Sequence, residues 1–162
     1  MSKIVCLDNH ILIWGVEQKA RDNQKEMIPR AKYLIDSLSK NDIQAIVPTV
    51  VLSEFLMPIP TQEVAKYINV IQRHLMIVPY DAIAALQFAK VWQAKYPKLA
   101  EELRDSEGIR KNHLKIDCMI VATAITRKAD CIYSYDRGLQ KFAEGYIEVR
   151  EIPDSSSQQS LI

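Results

Sequence analysis

The chain is poor in cysteine: Cys6, Cys118 and Cys131 are the only three, none lies in a CxxC pair, and each sits among apolar neighbours. An odd count at such spacing argues against a disulfide framework or a zinc site and leaves the thiols as small buried groups in a reducing compartment. Long hydrophobic runs are missing too. The stretch Ile43 to Leu52 is broken by Gln44, Pro48 and Thr49, well short of the roughly 20 residues a membrane span needs. Between Lys3 and Asp8 lie only four apolar or sulfur-bearing residues, too few for the core of a signal peptide, so a cytoplasmic location is expected. Nor does either sign of charge prevail: 21 Lys plus Arg face 20 Asp plus Glu, for a net charge of +1. Bulk charge therefore selects no partner, and any electrostatic site must come from local arrangement.

What is present is a globular composition. The 162 residues are 48% hydrophobic and 25% charged, which suits one domain of ordinary size and excludes disorder over most of the length. Residues 1–153 are expected to form that domain. The tail 154–162, with its Ser155-Ser156-Ser157-Gln158-Gln159-Ser160 tract, is expected to be disordered.

Four short apolar runs, Ile4 to Leu7, Ala45 to Val47, Met76 to Val78 and Cys131 to Tyr133, lack strong alternation. They read as strands buried on both faces of a parallel sheet. A fifth, Ile147 to Ile152, alternates as an edge strand does. Between them run helical stripes: Ile28, Ala31, Leu34, Ile35 and Leu38 in one, Val64, Ile68 and Ile71 in another, Ile83, Leu86, Val91 and Ala94 in a third with Asp81 as its N-cap. Tyr96 to Lys115 is charged and reads as a helix followed by a mobile loop. Strands alternating with helices define an α/β domain with a mainly parallel sheet, whose ligands gather at the carboxyl ends of the strands.

Four acids fall at telling places on that scaffold. Asp8 follows the first strand, and Glu54 lies in a short apolar helix, Thr49 to Leu56, after the second. Asp117 reads as the start of the apolar helix Cys118 to Ile125, and Asp136 follows the fourth strand two residues after Ser134. Each alone has a structural reading as a cap, a turn residue or a helix-dipole partner. Glu54 fits such a reading least, because its neighbours Val50, Val51, Leu52, Phe55, Leu56 and Met57 are apolar and a buried carboxylate is costly without a partner. Right-handed crossovers would bring all four to one sheet edge. Crowded carboxylates repel, a divalent cation resolves the repulsion, and oxygen-only ligands select Mg²⁺ or Mn²⁺. Such a centre suits phosphoryl chemistry.

The run Ile4-Val5-Cys6-Leu7-Asp8, the isolated Glu54, the Asp117-Cys118-Met119-Ile120-Val121-Ala122-Thr123-Ala124 segment and Ser134-Tyr135-Asp136 together resemble the ordered acidic motifs of PIN-domain ribonucleases. The resemblance covers residues 3 to 153 and is nearest to the stand-alone proteins similar to VapC toxins of toxin–antitoxin modules. It implies an α/β/α sandwich with a central parallel sheet, and Mg²⁺- or Mn²⁺-dependent endoribonuclease activity, a hydrolase reaction on RNA. It also implies a homodimer and silencing by a small antitoxin protein. Carried across by position, Asp8, Glu54, Asp117 and Asp136 would hold the metal and Ser134 would steady Asp136. Departures are Asn9-His10 where the family often has Thr-Asn, and Gly138 where it often has a second acid.

Around the acids, Arg110, Lys111, His113 and Lys115 precede Asp117, and Arg137 and Lys141 follow Asp136. A solvated face and a grip on RNA phosphates are the two readings of these cations. A haloacid-dehalogenase phosphatase is discounted, because that chemistry needs Asp-x-Asp and His10 stands in the second place. The remaining alternative is a non-catalytic PIN-like module that binds RNA or protein.

Overall fold

The computed structural model describes residues 3–102 and 107–154, with the side chains of 107–110 left aside. Five strands, β1 (Ile4–Leu7), β2 (Gln44–Pro48), β3 (Met76–Val78), β4 (Cys131–Tyr133) and β5 (Glu148–Arg150), form one sheet in the order β3-β2-β1-β4-β5. Every pairing is parallel, with Cys6 opposite Ile46 on one side and Ile132 on the other. The helices are α1 (Asn9–Leu12), α2 (Met27–Lys40), α3 (Thr49–Leu56), α4 (Thr61–His74), α5 (Ala82–Glu102), α6 (Glu107–Thr126) and α7 (Arg137–Ala143). A π-helical turn, Ile13–Glu17, extends α1. This is the α/β/α arrangement expected, with α2, α4 and the π-turn packed as one group and α5, α6 and α7 as another.

Apolar patterning explains the layers. In α2 the stripe Ala31, Leu34, Ile35 and Leu38 is buried while the residues between face outward. The apolar run in α6 is covered nearly all round: Cys118, Ile120, Val121, Ala122 and Ala124 are all buried. Asp81 caps α5 as expected, its Oδ1 accepting from Ala84 N at 3.0 Å. The core centres on β1, whose Cys6 and Leu7 are inaccessible, between Ile46 and Val47 of β2 and Ile132 of β4.

Three expectations are corrected. The strand β3 is an edge rather than a doubly covered strand, and its Met76 is 49% exposed. The basic run before Asp117 is helical, because α6 begins at Glu107. Asp117 therefore stands in the middle of a helix and not at its start. No loop is found over the described part of 96–115, which is helical; residues 103–106 lie outside the described residues, as does the tail beyond Asp154.

Candidate active site

Parallel order places the carboxyl ends of β2, β1 and β4 side by side, and chain order reverses between β1 and β4. Such a switch point opens a crevice at the strand ends. Asp8 leaves β1 there, its N–H still donating to Tyr133 O of β4 at 3.1 Å. Asp136 leaves β4 just beyond Ser134. Glu54 arrives on α3, which begins as β2 ends, and Asp117 arrives on α6, which packs on α3 and α7.

Each acid is held differently. Asp8 is 6% exposed; its Oδ1 accepts from Asn9 N at 2.7 Å and its Oδ2 from the Ser134 hydroxyl at 2.6 Å. Burial pushes its carboxyl up, against the pull of those two hydrogen bonds. The Ser134 oxygen also accepts from Asp136 N at 3.1 Å. One buried hydroxyl thus ties the acids at the ends of β1 and β4 together. Asp136 Oδ1 accepts from Leu139 N at 3.0 Å and caps α7. Capping and clustering are therefore both true of Asp8 and Asp136.

Asp117 and Glu54 show what the cluster costs. Half-buried Asp117 is pushed up to about 8 by burial, by the charges of Asp136, Asp8 and Glu54, and by a hydrogen-bonding contact with the Asp136 carboxyl. Glu54, also half-buried, is pushed up to about 7 by burial and the charges of Asp8 and Asp136. These mutual effects join all four acids into one electrostatic unit. Among the described residues, none of the four forms an ion pair with Lys or Arg. Nor do three His, Cys, Asp or Glu side chains converge as an ion's ligands would. The donor chemistry nonetheless fits a hard divalent cation: four carboxylates, three of them resisting ionisation, with no Lys or Arg ion-paired to them among the described residues.

Beside Asp117 and Asp136 opens a cleft of about 440 Å³, lined by Leu99, His113, Leu114, Arg137, Gly138 and Lys141 as well as the two acids. Arg137 is exposed at its rim, and Lys141 is paired with Glu102. Lys111 and Lys115 are placed elsewhere. At about 100° per helical residue they turn well away from the face that carries Asp117, and Lys111 Nζ lies 5.5 Å from the centre of the Tyr96 ring. Arg110 belongs to the first turns of α6. Sequence reasoning counted His113 only within the basic run and Gly138 only as a missing acid, and set neither beside Asp117. A helix extended back through the basic run would have put His113 one turn before Asp117, on the same face. Tyr135, which could have offered its ring to a base, meets Trp14 edge-on, and its hydroxyl accepts from Ile152 N at 3.0 Å.

A family model described as PIN domain matches residues 5–145. The chain belongs to the PIN domain family. Its fold is similar to a chain in the crystal structure of VapBC2 from Rickettsia felis bound to a DNA fragment from their promoter. The TM-score is 0.63 at 12% identity, over 93% of this chain and 99% of that one. A chain in the crystal structure of DNA-bound VapBC from Salmonella typhimurium gives 0.60 at 15% identity, over 94% and 100%. No curated protein matches by sequence. Among the described residues no helix of this PIN domain is long and apolar enough to cross a membrane.

Proposed function

We propose that this PIN domain is a divalent-metal-dependent endoribonuclease, acting in the cytoplasm as the toxin of a type II toxin–antitoxin pair. The observation that carries the reading is the mutual electrostatic influence of Asp8, Glu54, Asp117 and Asp136 near the carboxyl edge of the sheet, with two carboxyls pushed up to about 7 and about 8. Those four residues would hold the ion. When bound, Mg²⁺ or Mn²⁺ supplies an activated water and countercharge on the phosphate. The rest falls to the chain itself. Ser134 fixes the bearing of Asp8 on Asp136, and the Leu139 N–H fixes Asp136. Arg137, His113 and Lys141 line the cleft where the flanking RNA phosphates are bound. Lys111 and Lys115 have no part in that grip, because α6 turns them away. With water as nucleophile the 3′ oxygen leaves, giving 5′-phosphate and 3′-hydroxyl ends.

Similarity in fold to chains of the VapBC structures supports a small antitoxin as partner, and the assembly we propose for the free protein is a homodimer. Residues 1–153 act as one nuclease domain. The test is cleavage of total RNA in Mg²⁺, in Mn²⁺ and in EDTA. Cuts with 5′-phosphate ends in either metal and none in EDTA are expected. Equal cutting in EDTA, or 2′,3′-cyclic phosphate ends, would overturn the mechanism. RNA binding without any cutting would return the chain to the binding-module alternative.

A further inference from the structure

We propose that Gly138 is a positioning residue of this site: its missing side chain is what allows the Asp117 carboxyl to stand beside that of Asp136. The inference deepens the divalent-metal reading above and rests on it. Gly138 is the second residue of α7. A Cβ built on its backbone would lie 2.6 Å from Asp117 Oδ2, 3.0 Å from Leu114 Cδ2 and 3.2 Å from Asp136 Oδ1. All three are inside the roughly 3.5–4.0 Å of favourable contact.

The backbone supplies no competing reason for glycine. Among the described glycines only Gly145 lies in the left-handed region, at φ +84°. In a helix glycine is a poorer choice than alanine, so propensity argues against it here. Space for the carboxyl is the reason that remains. What gives way to an added methyl also follows from the contacts. Asp136 is held by the Leu139 N–H and Leu114 is buried in the core, whereas the Asp117 carboxyl is the far end of a short side chain that contacts the like-charged Asp136 carboxyl. Asp117 therefore swings away at little cost to the fold, and the site loses one of its oxygens. By the same contacts no fifth carboxylate fits at position 138 while Asp117 keeps its place.

The test is calorimetric titration of Mn²⁺ into the parent, Gly138→Ala and, as a control on an exposed position of the same helix, Gln140→Ala, with melts of all three in EDTA. Gly138→Ala is expected to bind Mn²⁺ about 10–100-fold more weakly, the range for losing a group that orients a metal ligand. Its melting temperature in EDTA is expected to equal or exceed the parent's, Gln140→Ala is expected to match the parent throughout, and raised Mn²⁺ should restore part of the lost cleavage. Parent-like Mn²⁺ affinity in folded Gly138→Ala overturns the inference and leaves the metal reading standing. A parent that binds no Mn²⁺ overturns that reading and the inference with it. Should Gly138→Ala fail to fold, the double variant Leu114→Val/Gly138→Ala, in which the shorter valine frees room for the methyl, is titrated in its place and judged by the same affinities.

Discussion

Asp117 and Glu54 hold their protons to about 8 and about 7, well above the value near 4 of an unfolded carboxylate. Both groups bind protons more tightly in the fold than in the unfolded chain. Their contribution to stability is complete below pH 4 and is lost as pH rises through 7 to 8. We therefore expect the melting temperature in EDTA to fall between pH 5 and pH 8.5. Glu54→Gln should flatten the lower part of that fall, by on the order of 1 kcal/mol once solvent screening of a half-buried group is allowed for. A variant whose pH profile overlays the parent's would contradict the placing of Glu54 in the cluster. Ser134 is the other residue with a definite expectation, since its inaccessible hydroxyl bridges Asp8 and Asp136. Ser134→Ala leaves a buried carboxylate oxygen and an N–H short of one partner each. A loss of about 1–3 kcal/mol is expected in urea unfolding, together with weaker cleavage; unchanged stability would show that water replaces the hydroxyl without cost.

At the scale of elements, the placing of α6 decides which cations face the cleft. Arg137 lies at the rim while Lys111 rests against Tyr96. Arg137→Ala is expected to weaken RNA binding and to lower its salt slope by about one, whereas Lys111→Ala/Lys115→Ala should leave the slope unchanged. Filter binding over a salt series separates them, and the reverse pattern would restore Lys111 and Lys115 to the site. The helical form of the basic run was missed for a physical reason. Charged residues at 107–115 do not look like the first turns of a buried helix, and the apolar stretch starting at Cys118 does. Yet the two are one helix, polar where it is exposed and apolar where it passes under α3 and α7. Buried strands were legible: β1 and β4 came out with the bounds read from their apolar runs, and so did the mixed-exposure helix α3. The strand β3 was legible in extent but not in exposure, because three apolar residues do not reveal that their neighbour on one side is solvent.

For the whole molecule, topology brings four scattered acids to one edge of the sheet, where we propose a single site. Strand order fixes Asp8 and Asp136 across the switch point, and the helix after β2 together with α6 delivers the other two. That much followed from alternating strands and helices. The role of Gly138 did not, because the lack of a side chain acquires meaning only when the atoms that would collide with it have been placed. Whether the four acids act as one metal site is tested most directly by thermal melts of the parent and Asp117→Asn, each in EDTA and in Mg²⁺, with RNA cleavage measured on the same samples. The substitution removes a group that must either carry a charge or take up a proton in the fold, and it keeps shape and a hydrogen-bonding side chain. We expect the variant to lose cleavage, to exceed the parent's stability in EDTA by about 1 kcal/mol, and to gain less from Mg²⁺ than the parent does. A variant less stable than the parent in EDTA, equally responsive to Mg²⁺ and still able to cut RNA would contradict the assignment.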